Sequence, residues 1–166
     1  MNMTSKAVIL MSVLALGACN DALRLGGNDA GAAAGIQPGS PSDPTSVAYF
    51  QQTVGDRVLF EVDQATLTPQ GQATLDGQAT WLTTNPVYNA VVEGHADEQG
   101  TREYNLALGA RRADAARNYL ISRGVAANRV QTVTFGKERP AEICSEEACY
   151  AKNRRAVTVL AAGASG

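Results

Sequence analysis

Apolar positions along this 166-residue chain fall into two regimes. From Val47 to about Leu160 they recur in short runs and at helical spacings, as a single folded domain requires. The run Val58-Leu59-Phe60-Glu61-Val62 predicts a strand. Thr68-Pro69 then supplies an N-cap and a first helical residue. Leu75, Ala79 and Leu82 follow at helical spacing, and the helix should stop near Asn85-Pro86. Tyr88 to Gly94 predicts a second strand, and Arg102 to Arg123 a long helix closed by Gly124. Val130 to Phe135 and Ala156 to Leu160 complete the strands, and a helical turn is expected around Glu146–Ala151 in the connection 137–153. The order is β-α-β-α-β-(α)-β. It predicts an α+β sandwich, a four-stranded mixed sheet with helices packed on one face. The first three strands should run in one direction, because right-handed crossovers join strands that alternate with helices.

Ahead of Val47 the pattern changes. Lys6 precedes an apolar run from Ala7 to Leu16, which ends in Leu16-Gly17-Ala18-Cys19. A positive residue, a short apolar core and small residues mark a signal peptide over 1–18. The run is shorter than a membrane-spanning helix needs. A cysteine directly after the small residues points to lipidation of Cys19, as in bacterial lipoproteins; the alternative is a secreted protein cut after Ala18. Residues 19–46 then read as the lipidated terminus and a flexible linker, rich in alanine, glycine, proline and serine. Residues 47–166 form the domain.

Charge narrows the partners. Removing 1–18 takes away Lys6 and no acidic residue, leaving 13 basic and 16 acidic residues and a net of −3. That argues against nucleic acid or anionic lipid as the main surface. With Cys19 lipidated, Cys144 and Cys149 remain as an even pair. Five residues apart in an oxidising compartment, they predict a local disulfide. It should staple the connection that presents Tyr150 and the turn before Asn153. Two free thiols are the alternative.

Candidate chemistry concentrates after the second strand. Gly94-His95-Ala96-Asp97-Glu98-Gln99-Gly100 lies in a strand-to-helix loop, where α/β folds usually place a site. Asn105, Leu108 and Arg112 share one stripe of the following helix, at intervals of three and four. Asp97 and Arg112 either pair with each other or receive a zwitterion between them, carboxylate to ammonium and guanidinium to carboxylate. His95 and Asp97 alone are too few ligands to predict a metal. No nucleophile, base and orienter stand together, so the expectation is a binding protein without cofactor or metal.

The segment from Val92 to Ala113 (VEGHADEQGTREYNLALGARRA), with Phe135-Gly136-Lys137-Glu138-Arg139-Pro140 and Asn153-Arg154-Arg155-Ala156-Val157, resembles the three ordered motifs of the OmpA-like peptidoglycan-binding domain. The resemblance covers roughly residues 55–160. It implies non-covalent binding of the cell wall through the diaminopimelate of the stem peptide. Asp97 matches the position that holds the ammonium and Arg112 the one that holds the carboxylate. Asn105 and Leu108 match neighbouring pocket positions, and Val62-Asp63 the end of the first strand. Valine replaces an aromatic there, so no stacking contact carries over to position 62. Asn153 and Arg155 are expected to support the pocket floor. For lipoprotein members the resemblance further implies an outer-membrane anchor (Asn20, not aspartate, follows Cys19), the β-propeller protein TolB as partner, TolA and other envelope proteins beyond it, and a role in envelope integrity and cell division. An interaction module with little wall binding, and a wall hydrolase using His95 and Asp97, are the competing readings.

Overall fold

The computed structural model describes residues 37–162. The expected leader 1–18, the expected lipidation of Cys19 and the linker as far as residue 36 lie outside the described residues. The final ten linker residues do not. Residues 37–46 form successive turns, held by short side chains capping nearby backbone. Asp43 accepts from Gly39 N at 2.9 Å, and Ser46 Oγ donates to Ser40 O at 2.6 Å. Trp81 Nε1 donates to Pro44 O at 2.7 Å, and Tyr88 OH to Thr45 O at 3.2 Å. An estimate from apolar content misses this segment, because hydrogen bonds hold it.

Ser46 caps a helical turn, α1 (Val47–Tyr49), which runs into a π-helical segment, Phe50–Gly55. The sequence pattern left this stretch unassigned. Its Phe50 is fully buried, 4.9 Å from the Trp81 ring, which in turn lies 5.2 Å from Tyr88. Trp81→Phe removes the indole donor and part of this stack. It should cost about 1–2 kcal/mol in urea unfolding and speed proteolysis within 37–46.

Strand β1 (Arg57–Leu59) is shorter than the expected 58–62 run. Helix α2 (Pro69–Thr84) starts at the Thr68 cap, whose Oγ1 accepts from Gly71 N at 3.0 Å. β2 (Tyr88–His95) leads to α3 (Arg102–Ser122), capped by Thr101 and followed by Gly124 at φ +98°. β3 (Val130–Gly136), α4 (Glu147–Asn153) and β4 (Arg155–Ala162) close the fold.

The sheet order is β1-β4-β2-β3, with β2 and β3 parallel and β4 antiparallel to both β1 and β2. The first three strands therefore share one direction, as expected, but β4 inserts between β1 and β2. Val58, Ala90, Val92 and Ala156 bury one sheet face with Leu75, Leu82, Ala113, Ala116 and Leu120 of α2 and α3. Leu59, Val133 and Val159 remain partly exposed. Inside the core, Gln78 is satisfied at both ends: it donates to Gly55 O and accepts from Thr158 Oγ1, each at 2.7 Å. That satisfaction is what a buried amide requires.

α3 lies very close to β2. A Cβ on Gly94 would fall 1.8 Å from Gly109 O, so these two glycines let helix and strand touch backbone to backbone. The contact fixes the height of α3 over the sheet end from which Asp97 leaves.

Candidate functional site

A pocket of about 230 Å³ opens at the C-terminal end of β2. Five of the sequence-flagged residues line it, Val62, Asp63, Asp97, Asn105 and Leu108, joined by Gln99, Gly100 and Tyr104. A larger cleft of about 460 Å³ beside β1 and the start of α2 contains none of the flagged positions.

Each wall has a local cause. Asp63 sits at φ +57°, a left-handed conformation that aspartate tolerates better than most residues. The turn aims its carboxylate at Tyr104, whose hydroxyl donates to Asp63 Oδ1. That bond pushes the Tyr104 hydroxyl pKa above its ordinary value. Buried Asn105 donates from Nδ2 to Gln99 O at 2.7 Å, tying the 97–100 loop to the first turn of α3. Lys137 Nζ donates to Gly100 O at 2.8 Å from the far side.

Asp97 and Arg112 do not stand as the spacing suggested. The ion pair Asp97 makes is with Arg154, Nη1 to Oδ2 at 3.2 Å, and its Oδ1 accepts from Gln99 N at 3.2 Å. Arg112 is absent from the pocket lining. It lies beneath, fully buried, with Nε donating to Gln64 O at 2.8 Å, Nη1 to His95 O at 2.9 Å and Nη2 to Glu61 O at 3.2 Å. Its guanidinium carbon is 5.3 Å from the Phe60 ring centroid. Burial pulls its pKa down to about 10; Asp97 opposes that and Arg154 adds to it. The group remains charged at neutral pH. It therefore pins the 61–64 turn to the end of β2 and sets a positive charge under the pocket. Three of its five N–H groups donate in these bonds.

Asn153 and Arg155 are not in the lining either. Asn153 Oδ1 accepts from Ala141 N at 2.7 Å and Glu142 N at 3.1 Å, so it holds the 141–142 turn. Arg155 Nη2 donates to Arg139 O at 3.1 Å. The residue between them, Arg154, reaches the site, and the motif reading passed over it. Asn153 is the last residue of α4 and Arg155 the first of β4, and Arg154, which joins them, is the one whose guanidinium meets Asp97. Tyr104 was also missed, although it stands four residues before Leu108 on the same helix face.

His95, on the last residue of β2, is 1% exposed and stacks on Phe135 at 5.6 Å. Neither ring nitrogen has a hydrogen-bond partner among the described residues, and Glu93 Oε2 lies 3.6 Å from Nε2. Burial, with Arg155 and Arg139 nearby, drops its pKa to about 4. The unfolded chain takes up this proton near pH 6.5 and the folded one only near 4. Stability is therefore intact above 6.5 and falls as pH drops between these values, by about 3 kcal/mol in all. His95→Asn should flatten urea midpoints across pH 4–7 by that amount; an unchanged slope would contradict it.

The predicted disulfide is present: Cys144 and Cys149 are bonded, with Cα atoms 6.0 Å apart.

The OmpA family model matches residues 59–154. A peptidoglycan-associated lipoprotein from Rhizobium meliloti is 50% identical over 165 residues, covering 95% of this chain and 88% of that protein. Another from Mesorhizobium japonicum is 48% identical over 164 residues, covering 95% and 92%. The crystal structure of the peptidoglycan-associated lipoprotein from Burkholderia pseudomallei superposes with a TM-score of 0.65 at 37% identity. It covers 73% of this chain and 98% of that one.

Proposed function

Because the chain belongs to the OmpA family and groups there with the peptidoglycan-associated lipoproteins, we propose that it binds the cell wall non-covalently and tethers the outer membrane to it. The tether runs from a lipid on Cys19 through the linker to the pocket. The ligand is the diaminopimelate head of an uncross-linked stem peptide, which carries one ammonium and one carboxylate.

The observation that carries this reading is the charge layout of the pocket. Two carboxylates, Asp63 and Asp97, stand in its wall while a buried guanidinium, Arg112, lies under its floor. A zwitterion fits such a layout in one orientation, ammonium to Asp97 and carboxylate toward Arg112. Asn105, Leu108 and Val62 shape the aliphatic part. Binding without turnover is the role we assign, within the Tol-Pal system and with TolB as partner, TolA acting beyond it, in support of envelope integrity and cell division.

Co-sedimentation with purified sacculi tests the proposal. The protein should pellet with them, be released by free diaminopimelate, and liberate no soluble wall fragments. Asp97→Ala should weaken binding by about 2–5 kcal/mol, the range for truncating one partner of a buried charge pair. Wild-type pelleting by that variant would remove Asp97 from the site. Pelleting that diaminopimelate does not compete would favour an interaction module instead.

A further inference from the structure

We propose that the Cys144–Cys149 bridge positions the pocket, by fixing the segment that grips the Asp97 loop at two successive residues. The inference rests on the pocket reading above.

The gripping contacts come from a short stretch of chain. Ser145 Oγ and Tyr150 OH both donate to Glu98 Oε1, at 3.1 and 2.8 Å. Arg154 donates to Asp97 Oδ2 and pairs at its other end with Glu147. Ser145 and Glu147 lie inside the ring the bridge closes, and Tyr150 adjoins it.

Burial does not hold this stretch. From Glu138 to Ala148 no residue is buried, and Ile143 is 90% exposed. Cys149 is the first buried residue after them, and the bridge ties the exposed turn to it. Segments with little buried surface open locally at small cost, so a covalent tie matters more here than in the core.

The effect on the pocket is electrostatic. The Arg154 side chain is 4% exposed, whereas that of Glu147 is 66% exposed. Arg154 shares its charge between Glu147 and Asp97, and the pairing holds the Glu147 carboxyl below its ordinary pKa. With Glu147 in place, the trio keeps one net negative charge beside the pocket for an incoming ammonium. When Glu147 swings into water, Arg154 is left to Asp97 alone, and the pair that remains beside the pocket is neutral. An ion pair with one partner this exposed holds only weakly by itself.

The experiment compares the disulfide-bonded protein with Cys144→Ser/Cys149→Ser, Glu147→Gln and the triple variant. Calorimetric affinity for free diaminopimelate is measured beside the backbone amide spectrum of Asp97–Gly100. Removing the bridge should weaken binding about three- to tenfold and shift the Asp97 and Glu98 amides. Glu147→Gln should weaken binding similarly, and the triple variant no more than either, because both changes act through Arg154. Unchanged amides and affinity without the bridge would overturn the inference while leaving the pocket reading intact. Losses that add in the triple variant would overturn the route through Arg154. Absence of binding by the disulfide-bonded protein would overturn the pocket reading and this inference with it.

Discussion

Gly94→Ala should lower the stability of the domain by about 4 kcal/mol or more and its Tm by roughly 12 °C. The new methyl carbon would sit 1.8 Å from Gly109 O, 2.6 Å from Gly109 C and 3.1 Å from Ala113 Cβ. Two of those atoms are helix backbone, which has no rotamer through which to yield. Relief requires α3 to lift off β2, and that breaks the packing of Ala113, Ala116 and Leu120 against Val92. Gly124→Ala is the matched control. Its φ of +98° is unfavourable to any side chain, but nothing lies within 4 Å of the added carbon. It should cost only about 1–2 kcal/mol. Thermal melts of the two variants separate a steric clash from backbone strain; similar losses would refute the close-approach argument.

Arg112→Ala should cost about 3–5 kcal/mol in urea unfolding and abolish binding of diaminopimelate. The ligand role that the resemblance implies for Arg112 would leave the fold largely untouched by this change. The structure changes that expectation. Three backbone carbonyls would lose their donor, that of His95 in a buried place and those of Gln64 and Glu61 in partly buried ones. The 61–64 turn, with Asp63 in its left-handed conformation, would lose its tie to β2. Arg112→Lys retains charge but offers one compact ammonium where a planar fork reached three acceptors. It should recover part of the stability and little of the binding. Stability equal to wild type in the alanine variant would show that the carbonyls find other donors.

Local chemistry explains which parts of this molecule can be read from its residues. Thr68-Pro69 and Gly124 act on their own helix ends, and the structure puts α2 and α3 where those signals expect them. The Cys144–Cys149 pairing depends on short separation and is equally local. Phe50 is different: it becomes a core residue only because Trp81 and Tyr88 come to meet it, and no periodicity in 47–55 announces that. The insertion of β4 between β1 and β2 is non-local, and strand order along the chain carries no trace of it. In the site, five of the residues singled out in the sequence line one pocket. The motifs put Asp97 and Arg112 side by side and gave no role to Arg154, the partner that Asp97 takes. Arg154 is the single residue that joins α4 to β4, 57 residues downstream of Asp97, and only the packing of those elements brings it to Asp97.

The turns at 37–46 are fastened to Trp81 and to Tyr88, the first residue of β2, whereas Asp97 follows the last. The eight residues of β2 span about 25 Å between these points. In the proposed tether, tension between membrane and wall enters at one end of the central strand and leaves at the other. The ladders to β3 and β4 lie across that line of pull. They are loaded in shear and must yield together, where a pull across the strands would open them one bond at a time. The domain is thus oriented as a tension member, with its strongest axis along the load.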